Sequence, residues 1–362
     1  MIYILYLFGS TLYLSTLSHY KQSGYLKLIG YSIPLILFWC LIIGCQYGVG
    51  TDYFSYIDIF KGNNFDYISG IRGEYVFSAI AELIIKAGLN PQWGFIFISL
   101  IEVLLLLYVM HFSVKNKYIY LFFFVFVCFS GSFHNQMNGL RQYLAIYMLS
   151  VVVCLLCRQK FFMAFFLSVI TFFIHKSSGI VLPVILVIYA LRSKDSRKVL
   201  LTVLLVGVAL SMLLNNHIIG MIVPYFEMYS NYLNTGAMDD YGIVQKITKY
   251  IYIPIYLSAI YKYPSFKLSE EQRRLFLFGV YGFAIKLSVM SIATVSRIGL
   301  YLEIISCIPL VYLMIYLYNK GRTKQYLIML LYLLAPYALK VLVMKTGEYG
   351  FDSIFFHWNQ LQ

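Results

Sequence analysis

Three short segments of the chain carry side chains that can take up a proton. Asp52 follows two glycines in GVGTDYFSY, Glu74 follows Gly73 in IRGEYVF, and His175 lies in FFIHKSSG. Carboxylates and imidazoles act as general bases on hydroxyl groups. Each residue also has an ordinary structural explanation, because Asp52 and Glu74 could stabilise helix N-termini and His175 could be a hydrogen-bonded structural residue.

A second set of residues has the chemistry to bind phosphate. Arg141 and Gln142 lie in GLRQYLAIYM, Lys176 follows His175, and Arg297 lies in SRIGLY. The planar guanidinium group matches pairs of phosphate oxygens, so two arginines could hold a diphosphate. The alternative is that the arginines extend to lipid headgroups or pair with a neighbouring acid at a helix end.

Tyrosine is abundant, with 35 in 362 residues, and some tyrosines adjoin these segments. Aromatic rings stack on sugars, although tyrosine belts at membrane surfaces are the commoner cause of such enrichment. The candidates for binding a glycan are Tyr53, Tyr56, Tyr229, Tyr232 and Tyr301.

A bound metal is not expected. Asp52 could ligate Mg²⁺ or Mn²⁺, which prefer carboxylates, and this alternative stays open. However, the nearest pattern to a paired acidic motif is Asp239-Asp240. We therefore expect no cofactor, with arginines stabilising the charge that a metal would otherwise neutralise.

The composition indicates what must position these residues. Hydrophobic residues make up 61% of the chain and charged residues 12%, whereas soluble domains carry about 25% charged residues. The chain is therefore predicted to be an integral membrane protein. Its net charge of +13 does not imply a nucleic-acid partner, because basic residues collect in the cytoplasmic loops of such proteins.

Apolar runs long enough to cross a bilayer, about 20 residues or somewhat fewer, predict an all-α polytopic domain over residues 1–362 with about twelve transmembrane helices. These spans are predicted at 2–18, 28–45, 93–113, 118–133, 140–157, 161–175, 177–191, 199–214, 249–261, 275–292, 298–318 and 325–343.

The charge pattern also predicts the orientation. Residues 75–88 are short and carry Glu82 and Lys86. When they are assigned to a surface helix, most cations fall into cytoplasmic loops and both termini face outward. The extracytoplasmic parts are then loop 46–92 with surface helices, loop 215–248 and tail 344–362. Chemistry at the outer ends of the spans would use a substrate already delivered to that side.

Two charged residues fall inside predicted spans. Glu102 and Lys286 lie near mid-bilayer by residue count. Ionisable groups in spans are costly and are usually functional or paired. We expect these two to pair with each other.

With these positions assigned, the chain resembles the EpsG-like, Wzy-type polysaccharide polymerases of bacterial inner membranes. Gln46-Tyr47 departs from the resemblance, since the family often has Arg-Tyr there, so one expected cation is missing. The resemblance rests on GVGTDYFSY at 48–56 with Glu74, GLRQYLAIYMLS at 139–150, FFIHKSSGIVLP at 172–183 and RIGLY at 297–301.

The resemblance implies a GT-C-like glycosyltransferase in the bacterial cytoplasmic membrane with its active site facing the periplasm or cell exterior. It implies transfer of a growing glycan from undecaprenyl pyrophosphate to the non-reducing end of a lipid-linked repeat unit. Arg141 and Arg297, with His175 or Lys176, would hold the pyrophosphate. Asp52, Glu74 or His175 would deprotonate the acceptor. A chain-length regulator and a flippase of the same pathway are the expected protein partners.

Two alternatives use the same lipid-linked glycan. A flippase or transporter would be expected to show internal repeats, and none is evident between the halves of the sequence. An O-antigen ligase-type glycosyltransferase would also have a large outer loop, which 215–248 would resemble, so the sequence separates it poorly from a polymerase.

Overall fold

A computed structural model describes residues 1–18, 24–63, 67–213, 250–290, 293–344 and 347–357. Side chains are described for these residues except Tyr67 and residues 293–295. These ranges are helical and contain no β-strand beyond an isolated bridge between Gln46 and Ser353. The all-α prediction is confirmed for this part of the chain.

The chain divides into two compact units, which we describe separately. The first comprises Met1–Gly179 and Leu327–Gln362. Its helices up to residue 179, in chain order, are α1 (Ile2–Leu17), α2 (Tyr25–Tyr31), α3 (Ile33–Trp39), α4 (Tyr53–Phe60), α5 (Tyr75–Lys86), α6 (Gln92–Ser113), α7 (Ile119–Phe129), α8 (Ser132–Asn135), α9 (Leu140–Cys157) and α10 (Phe161–Ile174).

The second unit is Ile180–Tyr326. The helices that begin after residue 177 are α11 (Ser178–Ala190), α12 (Arg197–Leu213), α13 (Ile253–Lys262), α14 (Glu270–Ser288), α15 (Ala293–Leu300), α16 (Glu303–Asn319) and α17 (Thr323–Leu339). The chain enters the second unit within α11 and leaves it within α17, most of which belongs to the first unit.

Helix α9 is the centre of the first unit. It is almost entirely buried and packs against α6 and α10, while α5 packs against α10 and α4. Beyond Gln142 its sequence is apolar on all sides, which explains this position, because such a helix can be covered on all sides. Consequently, the N-termini of α5 and α9 and the C-terminus of α10 are held by a rigid packed core.

Helix α14 is the centre of the second unit and packs against α12 and α16. Small residues permit the close approach: a Cβ on Gly207 of α12 would lie 2.6 Å from the carbonyl oxygen of Ala284. The helix begins with a capping box between Ser269 and Gln272, which satisfies two otherwise unpaired backbone groups.

The helices overlie all twelve segments predicted as spans, with differences at two of them. Among the described residues, three helices are long and apolar enough to cross a membrane, or four when a pair of helices bent by 66° counts as one span. That pair occupies the predicted span 28–45, which breaks at Ser32 because Pro34 cannot continue a preceding helix. The span predicted at 298–318 is interrupted between Leu300 and Glu303. The number of spans stays a prediction.

The prediction that residues 75–88 form a helix is confirmed. They form α5, an amphipathic helix that buries Phe77, Ala81 and Ile84 and exposes an ion pair between Glu82 and Lys86. Its location at the membrane surface stays a prediction.

Candidate active site

Glu74 is the centre of the candidate site. It is the N-cap residue of α5, and its side chain is only 2% exposed. Gly73 immediately before it has a φ of +61°, a conformation that favours glycine. A buried carboxylate needs partners, and Glu74 obtains them from two other helix ends.

Arg141 supplies the first partner. It lies in the first turn of α9, and its Nη1 forms an ion pair with Oε2 of Glu74. The guanidinium lies 5.7 Å from the ring centroid of Tyr56, whose hydroxyl accepts a long hydrogen bond from the Arg141 backbone N–H. A cation at a helix N-terminus is disfavoured by the helix dipole, so Glu74 is what makes this position favourable for Arg141.

His175 supplies the second partner. It is the C-cap residue of α10, where an extended backbone ends the helix. Its Nδ1 lies 2.7 Å from Oε1 of Glu74. The side chains of Arg141 and His175 are 14% and 16% exposed, respectively. Both therefore reach the protein surface, whereas the carboxylate that joins them does not.

Burial raises the pKa of Glu74, but the hydrogen bond to His175 and the nearby charges of Arg141 and Arg72 outweigh it, so the net pKa lies below its ordinary value. Glu74 is therefore ionised at neutral pH. An ionised carboxylate only accepts hydrogen bonds, which places the proton of the neutral imidazole on Nδ1. The other ring nitrogen, Nε2, is then the basic one.

Two more cations lie beside Glu74. Lys176 packs on Gly73, where a Cβ would lie 3.3 Å from the Lys176 Nζ, and its ammonium lies 4.3 Å from the ring centroid of Phe172. Arg72 lies close enough to lower the pKa of Glu74. We call Arg72, Glu74, Arg141, His175 and Lys176 the Glu74 cluster. Three cations against one carboxylate give it a net charge of +2 when His175 is neutral.

Asp52 lies on an adjoining loop and is exposed. It occupies the N-cap position of α4, but its side chain makes no capping hydrogen bond. Instead, Oδ1 of Asn138 accepts hydrogen bonds from the backbone N–H groups of Thr51 (2.8 Å) and Asp52 (2.9 Å). The carboxylate of Asp52 accepts a 3.0 Å hydrogen bond from the Thr51 hydroxyl. In the described part of the chain, no hydrogen bond or ion pair links Asp52 to the Glu74 cluster.

A family model covers nearly all of this architecture. The model of the EpsG family matches residues 30–352, which include every described residue of the Glu74 cluster and Asp52. The chain belongs to the EpsG family. A search among curated proteins and a search among solved structures each gave no significant match. Family membership and the apolar helices identify a membrane protein of polysaccharide biosynthesis.

The predicted glycan-binding tyrosines of this EpsG-family protein occupy different environments. Tyr53 and Tyr301 are each 1% exposed, and the hydroxyl of Tyr53 donates a 2.9 Å hydrogen bond to Gln92. Neither ring presents a face on which a sugar could stack in this structure. Tyr56 is also buried but contacts Arg141. Tyr229 and Tyr232 lie outside the described residues.

Two predicted phosphate ligands remain, Gln142 and Arg297. Gln142 follows Arg141 on α9 and is partly exposed. Arg297 is exposed on α15, a separate short helix of the second unit and not the end of a continuous span. Its participation in a diphosphate clamp stays a prediction.

The predicted pair between Glu102 and Lys286 is wrong. The ammonium of Lys286 forms an ion pair with Glu303, which lies in the first turn of α16. Glu102 is fully buried on α6, and neither carboxylate oxygen has a hydrogen-bond partner among the described residues. Depth estimated by counting residues does not show which face of a helix a side chain occupies, which is why the prediction failed.

Two residues of the site were missed from the sequence. Arg72 lies in the first outer loop, where the predicted orientation already made any arginine exceptional, so the charge pattern could have identified it. Asn138 carries no comparable signal, because its role depends on contact with a loop 87 residues away.

The departure at Gln46 also has a structural explanation. Its side chain is buried and donates a 2.9 Å hydrogen bond to the backbone carbonyl oxygen of Met137, and the backbone carbonyl of Gln46 accepts a hydrogen bond from the Gln92 side chain. Gln46 therefore ties the start of the Asp52 loop to the segment preceding α9. In this chain, position 46 contributes to the support of the site and not to its charge.

Proposed function

We propose that this EpsG-family protein is a glycosyltransferase that polymerises a polysaccharide at the extracytoplasmic face of the bacterial cytoplasmic membrane. It takes a growing glycan from undecaprenyl pyrophosphate and transfers it to the non-reducing end of a lipid-linked repeat unit. A chain-length regulator and a flippase of the same pathway are its proposed partners.

The observation that carries this proposal is the 2.7 Å contact between His175 and Glu74, beside the cations of the Glu74 cluster. A carboxylate that fixes the tautomer and orientation of a histidine leaves the opposite ring nitrogen as a general base. Of the three candidate bases, His175 is the one that combines an orienting partner with surface access. Glu74 is occupied by its two partners and serves as a positioning residue.

The cations of the Glu74 cluster support a phosphorylated leaving group. Glu74 engages one terminal nitrogen of Arg141, and the Nε of Arg141 has no hydrogen-bond partner among the described residues. A guanidinium carries five donors, so Arg141 can pair with Glu74 and still bind a phosphate oxygen. Lys176 and Arg72 add positive charge where negative charge develops on the departing diphosphate.

The proposed reaction is a single displacement. Nε2 of His175 takes the proton of the acceptor hydroxyl, and the hydroxyl oxygen attacks the anomeric carbon of the growing glycan. The bond between that carbon and the diphosphate oxygen breaks, and undecaprenyl pyrophosphate leaves with the bonding electrons. Because the attacking and leaving oxygens lie on opposite faces of the sugar, the anomeric configuration inverts.

The other candidate residues take supporting roles in this proposal. The exposed carboxylate of Asp52 would hold acceptor hydroxyls, and Tyr56 would fix Arg141. Gln142 would add a hydrogen bond to the diphosphate. Arg297 would contribute a further cation.

The decisive experiment is a reaction of purified protein with a synthetic lipid-linked repeat unit. The proposal predicts products of two or more repeats that remain on undecaprenyl pyrophosphate, with an inverted linkage at each junction. A ligase would instead move the glycan to a different acceptor, and a flippase would give no longer product. In cells, Arg297→Ala should leave single lipid-linked repeat units accumulating at normal protein levels. Arg141→Ala should also leave them accumulating, but its glycan lengths are compared per molecule of folded protein because the variant also removes the ion pair of Glu74. Unchanged glycan lengths with both variants would refute the assigned roles.

A further inference from the structure

A basic cleft lies at one end of the second unit, outside the proposed active site. It has a volume of about 360 Å³ and lies between the start of α12 and the connection from α13 to α14. We call it the Arg273 cleft. Its lining residues are Asp195, Ser196, Arg197, Tyr263, Pro264, Lys267, Leu268 and Arg273.

Arg273 is held in a fixed position in this cleft. Its Nε donates a 2.9 Å hydrogen bond to Oδ2 of Asp195, and the same oxygen accepts a 2.6 Å hydrogen bond from the Tyr263 hydroxyl. Partial burial raises the pKa of Asp195. The hydrogen bonds from Tyr263 and Arg273 lower that pKa by more than burial raises it, so the net pKa lies below its ordinary value. The carboxylate is therefore already neutralised by Arg273 and does not repel an incoming anion strongly.

Two further cations converge on the same cleft. Arg197 lies with its guanidinium 4.7 Å from the ring centroid of Tyr261. Lys267 has a φ of +50°, which is unfavourable for a residue with a side chain, and its ammonium has no partner in the described part of the chain. Three cations and one carboxylate leave the lining with a net charge of +2.

The surroundings of the Arg273 cleft are those of a membrane interface. Helix α12 starts at the cleft and exposes an apolar face, with Leu205 63% and Val206 50% exposed. On the other side, α13 ends there with Tyr261 60% exposed. The charge pattern of the sequence assigns both connections to the cytoplasm, where the adjoining leaflet is rich in anionic lipids.

We propose that the Arg273 cleft binds the phosphate group of an anionic phospholipid from the cytoplasmic leaflet. The phosphate would pair with Arg197, Lys267 and the exposed side of Arg273, and an acyl chain would lie along the apolar face of α12. Ordinary topological anchoring requires only that cations lie on the correct side of the membrane. It does not explain why three of them surround one cleft, with one fixed by a carboxylate and a tyrosine and another held at a strained backbone position.

The test compares lipid retention by the full-length protein and two double variants, using native mass spectrometry in detergent. The cleft variant is Arg197→Gln with Lys267→Gln, which spares the Asp195–Arg273 pair. The matched control is Lys320→Gln with Lys324→Gln, which removes the same charge from exposed positions at another predicted cytoplasmic loop. The probes are phosphatidylglycerol and phosphatidylcholine, and inorganic phosphate serves as competitor.

The proposal predicts that the native protein retains phosphatidylglycerol in preference to phosphatidylcholine. The cleft variant should weaken that retention by about tenfold or more, since each basic residue near an anionic surface contributes about 1 kcal/mol, while the control variant retains it. Equal weakening in both variants, no preference for the anionic lipid, or displacement of the lipid by millimolar inorganic phosphate would each overturn it. A thermal midpoint close to the native value confirms that the cleft variant is folded.

Discussion

The Nδ1 of His175 lies 2.7 Å from Oε1 of Glu74, although the two residues are 101 positions apart in the chain. Because the carboxylate is ionised and can only accept, it orients the imidazole with Nε2 as the basic nitrogen. The C-terminus of α10 and the N-terminus of α5 hold the pair from opposite sides. In the proposed mechanism, Glu74 therefore orients the base and His175 acts as the base.

The first prediction concerns His175. In His175→Asn the amide nitrogen takes the position of Nδ1 and can still donate to Glu74, but nothing replaces Nε2. Chain elongation should fall by about 10²–10⁴-fold, the usual contribution of a general base, while the thermal midpoint changes little. The measurement is the initial rate of elongation on a lipid-linked repeat unit. Elongation by the Asn variant at the native rate would assign the base elsewhere, with Asp52 the next candidate.

The second prediction separates the two roles of Arg141. Arg141→Ala removes a cation from the site and also leaves the buried Glu74 carboxylate without its ion pair, which should destabilise the protein by about 3–5 kcal/mol. Adding Glu74→Gln should restore much of the stability, because the remaining buried group is neutral, without restoring elongation. Unfolding curves and elongation rates measured on the same three samples test this. Recovery of both properties together would show that Arg141 is only structural.

A third prediction follows from the lowered pKa of Glu74. A carboxyl group with a lower pKa in the folded protein contributes stability that is fully present above its ordinary pKa, near 4.3. That contribution is lost as the pH falls through the folded-state value. The difference in thermal midpoint between native protein and Glu74→Gln should thus shrink as the pH falls below about 4. A difference that stays constant or grows below that pH would contradict the ion-pair assignment.

The sequence was sufficient to predict the helices and to single out individual candidate residues, but not their arrangement. Apolar runs predicted the helical segments because burial in lipid or protein demands them, and the types of Glu74, Arg141 and His175 identified each as a candidate. Their convergence depends on the packing of α5, α9 and α10, which joins residues far apart in the chain. Local patterns do not carry that information.

The error at Lys286 has the same origin. Its partner Glu303 is 17 residues away, and the turn between α15 and α16 that brings the two together was predicted as part of one continuous span. Likewise, Tyr53 directly follows Asp52 in the same motif, yet its side chain is buried. Tyr53 is the first residue of α4, whereas Asp52 is the N-cap residue and is exposed.

The fourth prediction tests how the Asp52 loop is held. Gly48 and Gly50 both have positive φ, at +60° and +78°. A Cβ on Gly50 would lie 2.5 Å from Oδ1 of Asn138, whereas a Cβ on Gly48 would meet nothing closer than 3.9 Å. Gly48→Ala should therefore carry only the backbone strain, about 1–3 kcal/mol. Gly50→Ala should in addition break the contacts of Asn138 with the loop.

Elongation activity and local hydrogen exchange together distinguish the two glycine variants. Gly50→Ala should raise hydrogen exchange at Thr51 and Asp52, whose backbone N–H groups bond to Asn138, and should reduce elongation more than Gly48→Ala does. Asn138→Ala should reproduce the exchange pattern without adding backbone strain. If both glycine variants behave alike, the contact with Asn138 does not determine the conformation of the loop.

The fifth prediction contrasts the two buried acids within the helices. Glu303 is paired with Lys286, so Glu303→Gln should strand a buried ammonium and cost about 3–5 kcal/mol. Glu102 is fully buried with both oxygens unpaired among the described residues, and an unsatisfied buried polar group costs about 1–3 kcal/mol. Replacing it by methionine, which has a similar shape, removes that cost, so Glu102→Met should raise the thermal midpoint. The two variants should therefore shift the midpoint in opposite directions, and a fall of similar size in both would mean that Glu102 has a stabilising partner.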